Sequence, residues 1–339
     1  MSFRPFLVLC ALVLMGTGHP ARAQSCGDTL THSITLTADL HCSSGWLAFE
    51  VGAPAITIRL NGHTLSGTSD LQGIRVLGQH KVRILGPGRI SGFWAGVNTM
   101  DAARLVVQGV EFADLGAGVI LNRSSESKIV GNGFFRITGE AISVIDPTVG
   151  TSLPSGGNLV SGNVIGKVDT GITLCGAAAG GNLVEHNTIN AAYARGIHVV
   201  DHSGGNYISA NRLHNTGAGI VVEASTGNTV IDNEVAQGSA GIGISATLQG
   251  RCQQDPAQTH DSIGHKVYDN RLRDVFTGIH VGNDPYLGKA IGSVFAGTVV
   301  ENATYGVLLN INSVSNHVFG STWIGVATPV LDLGYDNHW

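Results

Sequence analysis

The sequence feature that most constrains the fold is a two-residue step, Gly or Ala followed by Ile or Val. It recurs at Gly73-Ile74, Gly96-Val97, Gly118-Val119, Ala141-Ile142, Gly171-Ile172, Gly196-Ile197, Gly219-Ile220, Gly241-Ile242, Gly278-Ile279 and Gly306-Val307. Most successive steps are 22 to 25 residues apart, and intervals of 30, 37 and 28 residues interrupt this period. A fixed period of this length is typical of a solenoid, in which each repeat forms one coil that packs against its neighbours.

Two series of asparagines run in phase with this step. The first series is Asn158, Asn182, Asn206 and Asn228, and the second, five residues later each time, is Asn163, Asn187, Asn211 and Asn233, with Asn132 and Asn270 at its two ends. Asn tolerates the left-handed backbone of a tight turn, and identical amides in adjacent coils can hydrogen-bond to one another. We therefore predict that both series form structural ladders.

Each period contains short runs of β-branched residues separated by Gly, Asn and Ser, and it shows no helical periodicity. Leucine-rich repeats have a similar period, but they need a Leu-rich signature and a helical segment, which this sequence lacks. The sequence therefore predicts an all-β fold, a single-stranded right-handed parallel β-helix of roughly ten to twelve coils that each rise by about 4.8 Å.

Composition excludes several other classes of protein. Gly accounts for 48 of the 339 residues and charged residues for only 13%, which does not fit a helical bundle or a coiled coil. Hydrophobic residues make up 43% of the chain, which is enough for a folded core. The net charge of −5 leaves no basic excess, so nucleic acid is not an expected partner.

The first residues have the features of a signal peptide. Arg4 precedes an apolar stretch over residues 6–15, and Ala21 and Ala23 form a small-x-small cleavage site. That stretch is too short to span a membrane, and no other segment is long and apolar enough. We predict a signal peptide over 1–23, an N-terminal cap and first coil over 24–60, and the parallel β-helix over 61–339. The mature protein is expected to be a secreted or periplasmic monomer without a membrane span.

Four cysteines remain after the predicted cleavage: Cys26, Cys42, Cys175 and Cys252. An even number in an exported chain indicates disulfides, and four cysteines allow three pairings. Insertions over 147–157 and 247–262 follow the repeat step at the same corner of the rod. Cys175 lies at that corner and Cys252 lies in the second insertion, which favours a Cys175–Cys252 bond and leaves Cys26 to pair with Cys42.

The chain resembles the secreted right-handed β-helix repeat family, which is related to pectate lyases and alginate C5-epimerases. The segments that carry the resemblance are Cys26-Gly-Asp-Thr-Leu, Leu36-Thr-Ala-Asp-Leu-His-Cys42, Leu60-Asn-Gly-His-Thr-Leu-Ser-Gly67 and the Gly-Ile coils. The resemblance implies the fold and a carbohydrate-related role, but the superfamily also includes glycoside hydrolases, surface adhesins and a copper-enzyme maturation factor.

The motifs of three of these activities are missing. Alginate epimerases carry Asp-Pro-His-Asp after the Gly-Ile step, and only Asp201 and Ser203 fall in register with it. The paired carboxylates of pectin-type glycosidases are absent, which disfavours an inverting hydrolase. Met100 is the only methionine outside the predicted signal peptide, so a copper site is also disfavoured.

Five chemically capable side chains are concentrated in one coil: Tyr193, Arg195, His198, Asp201 and His202. Alternation in the strand places Ile197 and Val199 inward, so we expect His198 to point outward. A polysaccharide lyase needs a base, a cation that neutralises a uronate carboxylate, and an acid for the leaving oxygen. His198 or Tyr193 can serve as the base, Arg195 as the cation, and His202 as the acid with Asp201 orienting it. The simpler interpretation is that these are ordinary polar surface residues.

A second set of polar residues lies nearer the N-terminus. Asp101, Arg123 and Asp146 occupy equivalent positions in consecutive coils, where they can form a surface ion-pair stack. Alternatively, the carboxylates bind Ca²⁺ or Arg123 contacts an anionic sugar. We assign Arg75, Asn98, Arg123 and Asp146 as candidate substrate-binding residues. We assign no metal ligand and no required cofactor, and Ca²⁺ is the one candidate.

These observations favour an exported, polysaccharide-binding β-helix protein. The leading hypothesis for its activity is a lyase that cleaves an acidic, uronate-containing polysaccharide by β-elimination, in preference to a C5-epimerase or a glycoside hydrolase. The alternative is a non-catalytic cell-envelope, adhesion or carbohydrate-binding module that uses the rod as a spacer.

Overall fold

The computed structural model describes residues 24–146, 156–176, 179–246, 252, 261–282 and 288–339. The predicted signal peptide and most of both predicted insertions lie outside these residues. All regular structure in the described part of the chain is β-strand. Each strand pairs in parallel with its equivalents in neighbouring coils, so the chain forms a parallel β-helix, as predicted.

Three sheets run along the rod. The largest has 19 strands: Asp28–Leu30, Leu40–His41, Leu47–Val51, Thr64–Ser66, Gln72–Leu77, Arg89–Ser91, Ala95–Met100, Glu111–Leu115, Ala117–Asn122, Gly133–Ile145, Val164–Cys175, Thr188–Val200, Arg212–Glu223, Glu234–Ser245, Arg271–Val281, Val299–Glu301, Tyr305–Leu309, Thr322–Ile324 and Thr328–Asp332. The second has 12 strands: Ile34–Thr35, Thr57–Arg59, Arg83–Leu85, Val106–Gln108, Lys128–Val130, Leu159–Ser161, Leu183–Glu185, Tyr207–Ser209, Thr229–Ile231, Lys266–Tyr268, Val294–Ala296 and His317–Phe319. The third has three: Ser262–Ile263, Ala290–Ile291 and Ser313–Val314. The 12-stranded sheet contributes one strand to each coil, which gives twelve coils.

The largest sheet covers two faces of the rod. From Gly133–Ile145 to Arg271–Val281, one long strand in each coil crosses both faces and bends between them, and the register shifts at this bend in the first three pairings. The repeat step lies just after this bend. We call the strand segment that begins at the step the repeat strand, and the face built from these segments the repeat face.

Close approach between coils explains the glycine of the step. A Cβ atom placed on Gly171 would lie 2.4 Å from the carbonyl oxygen of Gly196, and one on Gly219 would lie 2.4 Å from that of Gly241. Neither distance leaves room for a methyl group. The step therefore requires glycine in these coils because successive coils stack too closely at this corner for a side chain.

Inward side chains from all faces form one continuous hydrophobic core along the rod. The Ile or Val of the step is buried in every coil, as in Ile172, Ile197 and Ile220. Phe112 and Phe134 stack in neighbouring coils with ring centroids 4.8 Å apart. Because apolar burial is the main favourable term in folding, this column of residues supplies the stability of the solenoid.

Both predicted asparagine ladders are confirmed. The backbone N–H of Asn187 donates to Oδ1 of Asn211 at 3.0 Å, and Nδ2 of Asn187 donates to the same oxygen at 3.0 Å and to the Val160 carbonyl at 2.9 Å. Asn182 and Asn206 are joined in the same way. These side chains are buried, so each amide satisfies turn groups that water cannot reach.

A histidine replaces asparagine in one rung of the first ladder. The backbone N–H of Asn228 donates to Nδ1 of His265 at 3.2 Å, and the N–H of His265 donates to Oγ of Ser293 at 3.3 Å. Nε2 of His265 is buried and has no hydrogen-bond partner among the described residues. Burial lowers the pKa of His265 to about 4, and the Ser225 backbone carbonyl, which raises the pKa, opposes part of this effect. His265 is therefore a neutral acceptor in the ladder.

The structure contains the two disulfides that the sequence favoured. Cys26 pairs with Cys42, 16 residues away, and Cys175 pairs with Cys252, 77 residues away. Disulfides of this kind persist in oxidising compartments, which fits an exported protein. The described residues contain no helical segment with the length and hydrophobicity of a membrane span.

Candidate functional site

One outward-facing position of the repeat strand lines up through the coils. Its register joins Glu50, Arg75, Asn98, Ile120, Ser143, Thr173, His198, Val221, Gly243, His280 and Leu308. Polar side chains occupy its N-terminal and central parts, where two groups of the predicted site residues lie. The repeat face is therefore where the structure brings candidate functional groups together.

Contacts with neighbouring coils hold the polar side chains in the N-terminal part of this line. Nη2 of Arg75 lies 2.8 Å from Oε2 of Glu50, and Nδ2 of Asn98 donates to Oε1 of Gln72 at 3.1 Å. All these side chains are partly exposed. Arg75 and Asn98 are thus accessible polar groups, but each is already held by a neighbouring coil.

The predicted ion-pair interpretation is confirmed for Asp101 and Arg123. Nε and Nη2 of Arg123 each lie 2.7 Å from a different carboxylate oxygen of Asp101. These hydrogen bonds lower the pKa of Asp101 despite some opposing desolvation, and they raise the pKa of Arg123. Asp146 is fully buried, and its charge raises the pKa of Arg123 further. Both oxygens of Asp101 are engaged, so a Ca²⁺ ion would have to displace the guanidinium.

His198 is the centre of the second group, and its environment differs from the prediction. Its side chain is only 1% exposed, although it occupies an outward position between Thr173 and Val221. Nε2 of His198 lies 2.9 Å from Oε2 of Glu223. An ionised carboxylate can only accept, so Nε2–H is the donor. The outward position of His198 therefore does not leave its side chain exposed, because a carboxylate of the next coil engages it.

Glu223 is the site residue that the sequence analysis missed. Besides His198, its Oε2 lies 4.0 Å from Nη2 of Arg195, and its side chain is 16% exposed. Glu223 lies 25 residues after His198, and the repeat is 23 residues long at this point. A polar residue displaced by two positions along the next strand lies diagonally opposite, which is the signal that could have identified it. The three side chains form what we call the His198–Glu223–Arg195 cluster.

Asp201 lies against the second disulfide. Its Oδ2 accepts the backbone N–H of Cys252 at 2.6 Å and lies 3.5 Å from Sγ of Cys175. Oδ1 is buried and has no hydrogen-bond partner in the described part of the chain. The ligand atoms of Cys175, Asp201 and Cys252 lie within 4.8 Å of one another, but metal binding requires thiolates and these sulfurs are bonded together. The contact therefore anchors the segment around Cys252 to the turn after the repeat strand.

The other two predicted residues lie at the ends of the same repeat strand. Tyr193 is 71% exposed at the bend that precedes it, and His202 is half-buried in the turn that follows it. Asp201 and His202 both have left-handed backbone conformations, with φ of 55° and 64°. The coil thus presents an exposed phenol at one end, the cluster in the middle and an imidazole at the other end.

This arrangement can bind an anion and move protons. Arg195 offers a partly exposed guanidinium, which suits the cluster to a carboxylate-bearing ligand. Glu223 accepts the hydrogen bond of His198 and lies 4.0 Å from the Arg195 guanidinium. The ends of the strand add an exposed phenol and an imidazole, which are the side-chain types used as general base and acid.

Comparison with known proteins identifies the fold independently. A family model described as a right-handed β-helix region matches residues 54–213. No curated protein sequence matches the chain. Among solved structures, the chain is similar to an exopolygalacturonase from Thermotoga maritima, with 11% identity, a TM-score of 0.61, and 82% of this chain and 84% of that chain covered.

Two further structures show the same architecture. The A-module of a mannuronan C-5 epimerase from Azotobacter vinelandii has 13% identity and a TM-score of 0.58, and the match covers 88% of this chain and 91% of that one. The tailspike protein of Escherichia coli bacteriophage HK620, solved with a pentasaccharide, has 14% identity and a TM-score of 0.60, and the match covers 86% and 60%. Identities this low show the fold alone. The comparisons therefore show a right-handed parallel β-helix fold, in agreement with the strand pairing of the described residues.

Proposed function

We propose that this exported β-helix protein binds an acidic, uronate-containing polysaccharide on the repeat face, with Arg195 pairing with a uronate carboxylate. The observation that carries the proposal is the His198–Glu223–Arg195 cluster, because the Arg195 guanidinium lies 4.0 Å from the Glu223 carboxylate while 24% of the Arg195 side chain stays exposed. Fixed, partly desolvated cations bind carboxylates better than mobile surface ones.

The comparisons support a carbohydrate ligand. The similar structures include an exopolygalacturonase, a mannuronan epimerase and a tailspike that holds a pentasaccharide. Two of these three names specify a polymer of uronic acids. Export, which the two disulfides and the predicted signal peptide support, places the protein where such polymers occur.

The reaction that these side chains support best is β-elimination. A base removes the proton beside the uronate carboxylate, the released electron pair forms a carbon–carbon double bond, and the adjacent glycosidic carbon–oxygen bond breaks. The leaving oxygen takes a proton from an acid. Arg195 neutralises the carboxylate and so acidifies the proton. Tyr193 is exposed and serves as the base. His202 lies at the opposite end of the repeat strand, too far from Tyr193 to act on the same sugar, so the leaving oxygen takes its proton from water. His198 is a positioning residue, since Glu223 engages its Nε2.

A specific observation supports the non-catalytic alternative. His198, the strongest catalytic candidate of the coil, is 1% exposed and hydrogen-bonded. A buried, paired imidazole cannot reach a substrate proton without rearrangement. If binding occurs without cleavage, the cluster serves recognition only, and the protein is a carbohydrate-binding module.

Binding and cleavage can be separated in one experiment. The purified protein is incubated with pectate, alginate and glycosaminoglycans, with and without Ca²⁺, while affinity electrophoresis measures binding and ultraviolet absorbance follows the unsaturated product. Arg195→Gln should weaken binding of the acidic polymer by about tenfold or more, because a charge-assisted hydrogen bond contributes about 1.5–3 kcal/mol. Arg212→Gln, at a mostly exposed arginine one coil further, is the matched control.

The outcomes distinguish the hypotheses. Ultraviolet absorbance from an unsaturated product, formed by the wild type but not by Tyr193→Phe, supports the lyase hypothesis. Arg195-dependent binding without absorbance supports the binding module. Equal binding by the wild type, Arg195→Gln and Arg212→Gln would contradict the assignment of the site.

A further inference from the structure

Exposed aromatic residues line one edge of the rod. Trp46 is 85% exposed, Trp94 48%, Tyr193 71% and Phe276 59%. All four lie at the bend just before the repeat strand, and each belongs to a different coil. Trp46, Trp94 and Phe276 directly precede Leu47, Ala95 and Thr277, which occupy the same position in the register of the largest sheet.

The backbone confirms that the positions of Trp46 and Trp94 stack, whereas Tyr193 lies one residue before the equivalent position of its coil, which Ala194 occupies. The N–H of Gln72 donates to the Trp46 carbonyl, and the N–H of Trp94 donates to the Leu71 carbonyl of the intervening coil. Trp46 and Trp94 are therefore two coils apart, about 10 Å. Tyr193 lies four coils beyond Trp94 and Phe276 three coils beyond Tyr193, so the line extends over nine coil spacings, about 43 Å. We call this line the aromatic edge.

We propose that the aromatic edge is a track on which sugar rings of one polysaccharide chain stack, so that the chain runs parallel to the rod axis and passes Arg195. The inference rests on the proposed function and extends it from one site to the length and direction of the ligand.

The shape of the edge favours a carbohydrate chain over a protein partner. The aromatic rings are separated along the edge, because the equivalent positions between Trp94 and Phe276 hold non-aromatic residues: Gly116, Gly139, Asp169, Ala194, Gly217 and Ser239. Only Phe276 contacts a further ring among the described residues, that of Tyr305, with centroids 5.7 Å apart. A protein interface instead needs a contiguous apolar core with a polar rim. A sugar ring has an apolar C–H face that packs on an aromatic ring, and a row of separated rings matches a polymer of such units.

The surroundings of Trp94 provide for the hydroxyl groups of such a ring. A pocket of about 520 Å³ beside its indole is lined by the apolar residues Phe93 and Leu115 and by the polar residues Asp114, Arg136 and Thr138. Arg136 and Arg89 both pair with Asp114, which lowers the pKa of that carboxyl, principally through the hydrogen bonds of Arg136. Arg89 also lies 3.4 Å from the Glu111 carboxylate, so the two arginines and two carboxylates balance in charge. Recognition here therefore depends on ring stacking and hydrogen bonding, whereas recognition at Arg195 depends on charge.

Chain length gives the sharpest test. Affinities are measured by calorimetry for polygalacturonate oligomers too short to reach from Arg195 to Trp94, and for polymer longer than the whole edge. Trp94→Ala, Trp46→Ala and Phe276→Ala should each weaken binding of the polymer about two- to tenfold, as for other aromatic stacking contacts, and leave the short oligomers unaffected. Tyr207→Ala is the control, since Tyr207 is 44% exposed but lies on the 12-stranded sheet.

Salt dependence and a neutral polymer separate this proposal from the proposed function. The contribution of Trp94 to the affinity for the polymer should be unchanged at high salt, whereas the contribution of Arg195 should decrease because salt screens its charge. Loss of affinity in Arg195→Gln with no loss in the tryptophan variants would overturn the track and leave the function standing. Tryptophan-dependent binding of a neutral glucan with no effect of Arg195→Gln on any polymer would support the track and overturn the acidic substrate. Wild-type protein that binds neither polymer would overturn both.

Discussion

Replacing the ladder histidine by asparagine should remove a defined part of the acid sensitivity of this protein. Nδ1 of His265 accepts the backbone N–H of Asn228, so the ring can take a second proton only by losing that bond. His265→Asn places an amide oxygen at the same rung, as Asn228 does in the preceding coil, while Oγ of Ser293 remains the acceptor in the following one. This rung then no longer titrates.

The magnitude follows from the two pKa values. Burial lowers the pKa of His265 to about 4 in the folded protein, against 6.5 for an unperturbed histidine. His265 therefore binds a proton near pH 6.5 in the unfolded chain, whereas in the folded protein it stays neutral until the pH approaches 4. The stability that neutral His265 provides is fully present above pH 6.5, declines as the pH falls, and is lost below about pH 4. The difference between the pKa values corresponds to about 3 kcal/mol in total and about 2 kcal/mol by pH 5.

Chemical denaturation at two pH values is the assay. Unfolding in urea is followed by circular dichroism at about pH 7.5 and about pH 5, and free energies come from linear extrapolation. The wild type should lose about 2 kcal/mol more than His265→Asn over this range. Titration of the carboxylates and of the other histidines is common to both proteins and cancels in the comparison. His214→Asn, at an exposed histidine, should behave as the wild type does.

Two results would refute the reasoning. If His265→Asn and the wild type lose the same stability between these pH values, His265 is not neutral and buried in the ladder. If His265→Asn is much less stable than the wild type already at about pH 7.5, the amide does not replace the imidazole in this rung. The imidazole would then stabilise the fold by more than its Nδ1 hydrogen bond.

Four further predictions follow from the packing. Asn187→Ala should lower the free energy of unfolding by about 1–3 kcal/mol, since it leaves the buried N–H of Asn163 without its acceptor; Thr229→Ala, on an outward position of the same face, should cost less than about 0.5 kcal/mol in the same urea titration, and equal losses would contradict the ladder. Gly219→Ala should be strongly destabilising, because its Cβ would meet the Gly241 carbonyl at 2.4 Å, while Gly243→Ala, whose Cβ meets nothing nearer than 3.9 Å, should be neutral or stabilising; thermal melts with the opposite order would refute the close-stacking argument. His198→Ala should lower the melting temperature as well as the affinity for acidic polymer, because it removes a buried partner of Glu223; an unchanged melting temperature would show that the imidazole is not packed as described. Replacing Cys175 and Cys252 by Ser should weaken polymer binding, because this bond anchors the segment beside Asp201, while the same change at Cys26 and Cys42 should leave the affinity unaltered in affinity electrophoresis.

The sequence alone determined the fold because a solenoid is built from local, repeated rules. One coil needs a glycine where it meets its neighbour, an inward Ile or Val, and an Asn at each turn. Repetition makes these requirements visible as a period, and this is why the β-helix, the ladders and the corner carrying Cys175 could be predicted. The polar residues of the Tyr193–His202 segment could be identified for the same reason, since the equivalent strand positions of the next two coils are mostly apolar.

Only the tertiary structure decided how those polar residues are used. Alternation along a strand predicts which way His198 points, but not that a carboxylate of the next coil engages it. Glu223 was overlooked because its partner His198 lies in the adjacent coil and two positions away along the strand. Whether such a diagonal pair forms a contact depends on both the strand register and the lengths of the side chains. The aromatic edge was overlooked for a related reason: Trp46, Trp94, Tyr193 and Phe276 are far apart in sequence and fall at a bend, where strand alternation gives no rule. Stacking every coil in register brings such positions into one line, and that line exists only in the folded rod.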